Sequence, residues 1–251
     1  MPKKSLRIFS LNTEYGKYSD TFIPYLESIR DDFDVFCFQE CPNDAKDTTV
    51  FEPEHDPHLF EKCIQILPEF TSYYSEFVSE SFGIATFVRG DLIQKLRWET
   101  YIFWDSGEPF LDRWEWNSAT KAMNVMVNGI DIMNLHGAWQ PGTKKRDTPE
   151  RILQSEILRQ FTKWREEKTV LIWDFNLMPD TESVKILEKK YTNLITQYGI
   201  TNTRTAVFTK PRAYADYAFV GKDVLVHDFQ VHLEPIFSDH GYMTLSVSRA
   251  N

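Results

Sequence analysis

Polar side chains able to do chemistry stand at the ends of apolar runs along this chain. They are Asn12 and Glu14 in LNTE, Glu40 in FQE, Asn134 and His136 in NLHG, Asp174 and Asn176 in WDFN, Asp216 in ADYAFV, and Asp239 and His240 in FSDHG. A carboxylate at the end of a buried strand is costly unless a charge meets it. Gathered on one rim, Glu40, Asp174, Asp216 and Asp239 would repel one another unless a cation lay among them, so the pattern implies a metal site. Oxygen donors without thiolates favour Mg²⁺, with Mn²⁺ as the alternative, and leave His136 and His240 to act as donors or acids. A zinc ion held by His136, His240 and an aspartate is the competing reading. Taken singly, each motif has a plainer explanation: Asp174 and Asn176 as a turn cap before Pro179, His136 as a hydrogen-bonded core residue.

The elements that must position these groups alternate between strand and helix. Ser5–Glu14 reads as a strand, and Asp20–Asp31 as a helix with Phe22, Ile23, Leu26 and Ile29 on one face. Asp34–Glu40 reads as a buried strand ending in a carboxylate, and His58–Leu67 as a short helix. Residues Thr71 to Gly137 read as a run of strands, with Asn128-Gly129 marking a hairpin. Thr148 followed by Pro149 predicts the N-cap of a helix running to about Glu167. Beyond it, the pattern predicts strand Thr169–Phe175, helix Glu182–Lys190, an irregular polar stretch, and strands near Tyr214–Val220, Leu225–Leu233 and Tyr242–Val247. Many strands with few helices between them fit two packed sheets flanked by helices.

Composition narrows the classes. At 251 residues with 42% hydrophobic and 15% aromatic side chains, the chain can bury a large core and is expected to fold as a single domain over 1–251. The formal charge of −9 argues against a broad basic surface for long nucleic acid, while leaving room for a local basic groove. Cys37, Cys41 and Cys63 are too few for a disulfide framework and carry no zinc spacing, so reduced thiols are expected. The opening MPKKSLRIFSLN is too polar and short in its apolar part for a signal peptide, and no run reaches membrane-spanning length, so the expected address is the cytoplasm, with no membrane and no obligate protein partner.

Together, LNTE, FQE, NLHG, DFN, ADYAFV and SDH, in this order from Asn12 to His240, resemble the endonuclease/exonuclease/phosphatase superfamily of DNase I-like metal-dependent phosphodiesterases. The resemblance implies a four-layer α/β sandwich of two mainly antiparallel sheets flanked by helices. It also implies a Mg²⁺-dependent phosphoesterase acting on phosphodiester bonds, with nucleic acid as the expected substrate and a nucleotide or another phosphorylated compound as the alternative. In that reading Glu40 holds the metal with Asn12 beside it, and Asp239 makes a second metal or water contact. Asp174 activates or positions the attacking water, Asn176 and His136 face the phosphate, and Asp216 pairs with the catalytic imidazole of His240. Arg204 and Arg212, with Lys210 nearby, are candidate substrate-phosphate contacts, against the reading of a solvated loop. Glu14 and Asn134 read as structural.

Trp173 departs from the family, which usually has glycine before its Asp-x-Asn. The indole must turn into the helix layer, narrow the cleft, or disable the site and leave a weak binding protein. Two further stretches stay open: the aromatic segment 101–124, with Trp104, Phe110, Trp114 and Trp116, suits either base stacking or a core edge, and the basic KKRD at 144–147 suits either a phosphate backbone or a solvated approach to the next helix.

Overall fold

A computed structural model describes residues 5–45, 52–76, 82–102, 120–140, 142–211 and 213–250. Arg212 and the four aromatics Trp104, Phe110, Trp114 and Trp116 lie outside the described residues. The strands are β1 (Leu6–Asn12), β2 (Val35–Pro42), β3 (Phe70–Glu76), β4 (Phe82–Arg89), β5 (Ile93–Ile102), β6 (Thr120–Val127), β7 (Ile130–His136), β8 (Thr169–Asp174), β9 (Thr192–Asn193), β10 (Asp216–Val220), β11 (Val224–His232) and β12 (Tyr242–Arg249). The α-helices are α1 (Ser19–Ile29), α2 (Leu59–Ile66), α3 (Pro149–Thr162), α4 (Glu182–Glu188) and α5 (Leu194–Gln197).

The strands form two six-stranded sheets, ordered β11-β12-β1-β2-β4-β3 and β5-β6-β7-β8-β10-β9. Each contains one parallel pair, β1 with β2 and β7 with β8, among otherwise antiparallel neighbours. With helices on the outer faces, this is the four-layer DNase I-like sandwich that the motifs imply.

Side-chain alternation assigns the faces. In β1, Phe9 and Leu11 join Phe22 and Leu26 of α1 and Leu59 of α2 in one core cluster, while Leu6 and Ile8 join the larger cluster shared with the second sheet. The inner face of β1 therefore runs Leu6, Ile8, Ser10, Asn12, from apolar to polar as the strand nears the rim. Those of β7 (Ile130, Ile132, Asn134, His136) and β8 (Val170, Ile172, Asp174) do the same. Parallel pairing sets Asn12 beside Gln39 and His136 beside Asp174, and antiparallel pairing sets Asp216 beside Asp174, so these strand ends share one rim.

The same alternation settles Trp173. It lies on the face of β8 opposite Asp174, wholly buried, with its ring centroid 5.0 Å from that of Phe175 and 6.1 Å from that of Phe219. Leu158 of α3 and Val184 and Leu187 of α4 belong to the same cluster. The indole is core packing in the helix layer, which removes the occluded-cleft basis for a binding-only protein.

Several boundaries differ from the expectations, each for a local reason. The first strand stops at Asn12 because Glu14 and Tyr15 take positive φ (46° and 54°) in a single 3-10 turn, Glu14–Gly16. The helix expected to reach about Glu167 ends at Thr162, although its predicted cap holds: Thr148 Oγ1 accepts from the Arg151 N–H at 3.3 Å. The stretch expected to be irregular after Lys190 contains β9 and α5. Asn128 and Gly129 both have positive φ (51° and 77°), as a two-residue hairpin with right-handed strand twist requires. No helix among the described residues is long and apolar enough to cross a membrane.

Candidate active site

The rim gathers Asn12, Glu40, His136, Asp174, Asn176, Asp216, Asp239 and His240 around the carboxylate of Asp174. Asp174 Oδ1 accepts from the Asn176 N–H at 2.8 Å, and Oδ2 accepts from Asn12 Nδ2 and Asn176 Nδ2, each at 3.0 Å. The Nε2 atoms of His136 and His240 each lie 3.6 Å from the same Oδ2. His136 Nε2 also lies 3.0 Å from Glu40 Oε1, and His240 Nδ1 lies 2.9 Å from both oxygens of Asp216.

Two backbone distortions build this arrangement. In regular alternation Glu40 would share a face with Phe38 and Phe36, beneath the helices. A bulge between Phe38 and Cys41 and a φ of 50° at Glu40 turn its carboxylate toward His136 of the other sheet. Asn176, with φ 53°, makes the second such turn after β8. Each left-handed non-glycine residue costs roughly 1–2 kcal/mol, which the surrounding bonds must offset. At the end of β7, Gly137 approaches β8 so closely that a Cβ there would lie 2.8 Å from the Phe175 carbonyl oxygen.

The match that decides the family spans residues 9–240, nearly the whole chain, and is to the Endonuclease/Exonuclease/phosphatase family. The chain belongs to this family. Its members are divalent-metal-dependent phosphoesterases. No curated protein sequence matches the chain. Among solved structures it is similar to the endonuclease/exonuclease/phosphatase from Bacteroides vulgatus (TM-score 0.69, 14% identity, 98% of this chain and 100% of that one). It is likewise similar to D. rerio TDP2 complexed with single strand DNA product (0.68, 14%, 97% and 99%) and to a mannosyl-6-phosphatase from Bacteroides thetaiotaomicron (0.67, 17%, 97% and 100%).

In this phosphoesterase, charge decides what each group can do. Burial works to raise the Asp174 carboxyl, but the imidazoles of His240 and His136, with Arg204 and Lys145, hold it down at about 2. Burial and Arg204 disfavour a charged His240, yet the carboxylates of Asp216, Asp239 and Asp174 outweigh them and raise its pKa above the ordinary imidazole value. At His136, burial is likewise outweighed by Glu40, and the imidazole is raised; in return, His136 holds Glu40 below its usual value against burial.

The chemistry of the donor set fits a hard divalent ion. Glu40, His136 and Asp174 offer ligand atoms that all lie within 4.8 Å of one another, and so do Asp174, Asp216 and His240. Asn12 reaches the site through its amide: Nδ2 holds Asp174, and Oδ1 accepts from the Glu14 N–H at 3.0 Å. Asp239 sits between Arg204 Nη1 at 2.7 Å and His240 Nε2 at 3.4 Å, and its backbone N–H donates to Glu14 Oε2 at 2.7 Å. Arg204 is thus at the rim rather than in a solvated loop, joined to His240 by an isolated β-bridge.

Of the supporting residues, Thr203 had no signal in the sequence, whereas Asn134 has the structural part expected of it. Thr203 Oγ1 accepts from the N–H groups of both Ala215 and Asp216, fixing the start of β10. Asn134 joins the sheets: Nδ2 donates to the carbonyls of Phe38 and Ala85 and to Thr86 Oγ1, and Oδ1 accepts from Gln39 Nε2 at 2.7 Å. From KKRD, only Lys145 is buried; Asp147 caps α4 by accepting from the N–H groups of Glu182 and Ser183. Basic residues between a strand and a helix cap were the available signal for Lys145, and its burial was not legible.

Proposed function

We propose that this protein is a Mg²⁺-dependent phosphodiesterase acting on nucleic acid. The carrying observation is the convergence of two imidazoles and two asparagines on the buried Asp174 carboxylate, with Glu40 and Asp216 each paired to one imidazole. In this reading Glu40 is the principal metal ligand, with Asp174 close by and Asp239 as a second contact. The bound ion would supply positive charge to the phosphoryl oxygens.

The side chains divide the remaining work. Held below the ordinary carboxylate range by the imidazoles of His240 and His136 against its burial, Asp174 is ionised at neutral pH and serves as an acceptor that orients the attacking water. Asn12 keeps that acceptor in place. Asn176 and the imidazoles of His136 and His240 donate toward the charge that develops on the phosphoryl oxygens. Asp216 accepts the Nδ1 proton of His240, which leaves Nε2–H facing the substrate side beside Asp174 and Asp239.

Support for a nucleic-acid substrate comes from the phosphodiester chemistry and from the solved relative bound to single strand DNA product; the phosphosugar phosphatase among the relatives marks the alternative of a small phosphorylated compound. The test is a panel of single-stranded DNA, duplex DNA, RNA and small phosphate esters, assayed with Mg²⁺ and with EDTA. Metal-dependent cleavage of a nucleic acid is the expected result. Turnover confined to small phosphomonoesters would replace the substrate, and turnover unaffected by EDTA would defeat the metal assignment.

A pH profile tests His240. If the working form is the imidazolium, the rate falls as pH rises through its raised pKa. Asp216→Asn removes a carboxylate that raises it, so the alkaline limb of kcat should move to lower pH. A limb that stays in place would remove His240 as the donor.

A further inference from the structure

The loop between β7 and α3 holds a cation for which the mechanism above has no use. Lys145 is 8% exposed, with φ 57° directly after Lys144 at 55°. Its carbonyl accepts from the Met178 N–H at 2.9 Å, two residues beyond Asn176. Behind it, the buried Arg151 guanidinium donates to the carbonyls of Ala138 and Arg146 and to Thr143 Oγ1, so the loop is braced from within. The two left-handed residues are thus held by contacts from other elements, which offset their strain.

The ammonium itself is under-satisfied. Nζ donates to the Tyr214 carbonyl at 2.8 Å, which uses one of its three hydrogens, and no carboxylate among the described residues forms an ion pair with it. Its other neighbour is a second cation. Nζ lies 5.6 Å from the centroid of the Phe208 ring, and Arg204 Cζ lies 4.3 Å from the same centroid. Arg204 is 6% exposed, and although Nη1 meets Asp239, its buried Nε has no hydrogen-bond partner. Lys145 keeps two ammonium hydrogens and Arg204 its Nε–H for a further acceptor, although Asp239 already pairs with Arg204 and the carboxylates of Asp174 and Asp216 act on Lys145 without contacting it. Burial, then Arg204, pulls the Lys145 ammonium down to about 8 against the carboxylates of Asp174, Asp216 and Asp239, consistent with a second cation beside it.

We propose that Lys145 and Arg204, set about Phe208, form an anion subsite that takes the non-bridging oxygens of a substrate phosphate without help from a metal ion. The inference rests on the phosphoesterase reading for its natural ligand, although the subsite is defined by phosphate chemistry alone. The phosphate is either the one being cleaved or a neighbour along the substrate; both offer the same oxygens.

The experiment uses inorganic phosphate as probe on EDTA-treated protein at constant ionic strength, with affinity measured by calorimetry. Wild type should bind, Lys145→Met should bind roughly tenfold or more weakly, as loss of a charge-assisted hydrogen bond predicts, and Lys145→Arg should recover most of the affinity. Because Nζ also holds the Tyr214 carbonyl, thermal unfolding is recorded for each variant. Independently of folding in the variants, NMR of wild-type protein with lysine side chains labelled must show a lysine signal that moves with phosphate and is missing from Lys145→Arg. Two kinetic arms separate the sources. A rise in KM for bis(p-nitrophenyl) phosphate assigns the subsite to the scissile group, and a rise only for an oligonucleotide assigns it to a neighbouring phosphate. Wild type that binds no phosphate without metal, no lysine signal that moves, or Lys145→Met binding as tightly as wild type, would each overturn the proposal. Glu40→Gln separates the two readings: it should abolish hydrolysis and leave metal-free phosphate binding intact, so loss of one property does not entail loss of the other.

Discussion

Changing His240 to asparagine or Glu40 to glutamine is expected to lower kcat for a phosphodiester by about 10²–10⁴-fold each, the range associated with removing a positioned proton donor or an electrostatic stabiliser of the transition state. Both residues are tied to Asp174, His240 directly and Glu40 through His136, so both changes disturb one charge cluster. Their effects should not add: a double variant losing no more than the worse single one is the signature of groups that act together. Glutamine keeps the size of Glu40 and an oxygen acceptor for His136 while deleting the charge proposed to hold the ion. KM should move little if substrate binding depends chiefly on Lys145 and Arg204. Circular dichroism and thermal unfolding guard against a folding defect. Either variant turning over within about twofold of wild type would sink the assigned roles.

The second large effect is on stability. Asn134 lies fully buried between the sheets and serves four partners: two carbonyls, the Thr86 hydroxyl and the Gln39 amide. Asn134→Ala removes all of them at once. A buried polar group left unpaired costs ~1–3 kcal/mol, and some of the orphaned groups will find water in the space vacated, so a net loss of about 3 kcal/mol is expected. For a chain of this size that lowers Tm by roughly 6–12 °C. Differential scanning calorimetry measures it. A loss under about 1 kcal/mol would show that the bridge between sheets contributes less than its hydrogen bonds suggest.

The motifs at strand ends carried most of the site. Asn12, Asp174 and His136 need only regular alternation and pairing to arrive together, because each continues an inward-facing row of its strand to the rim. Asp216 follows from antiparallel pairing with β8. The hairpin at Asn128-Gly129 and the cap at Thr148 are local chemistry, readable from a few residues.

Other features had no local signature. Glu40 belongs by alternation to the helix-covered face and reaches the site only through a bulge, whose strain is tolerated because the two sheets are packed together and His136 waits across the gap. Trp173 reads as a threat to the site until the facing of β8 is known; its ring then lies among Phe175, Phe219 and the helices. Lys145 reads as one of several surface cations, yet the Met178 N–H donates to its carbonyl, its own Nζ donates to the Tyr214 carbonyl, and Arg151 braces the next residue through the Arg146 carbonyl, which together hold it inward beside Arg204 and Phe208. The amino-acid order by itself carried most of the strands, their polar ends and the expectation of a divalent ion, which depend on side-chain type and period-two alternation, while the ordered motifs carried the resemblance to the family. Tertiary packing decided which way Glu40, Trp173 and Lys145 point, because a strained backbone or a buried charge persists only where contacts from other elements offset its cost.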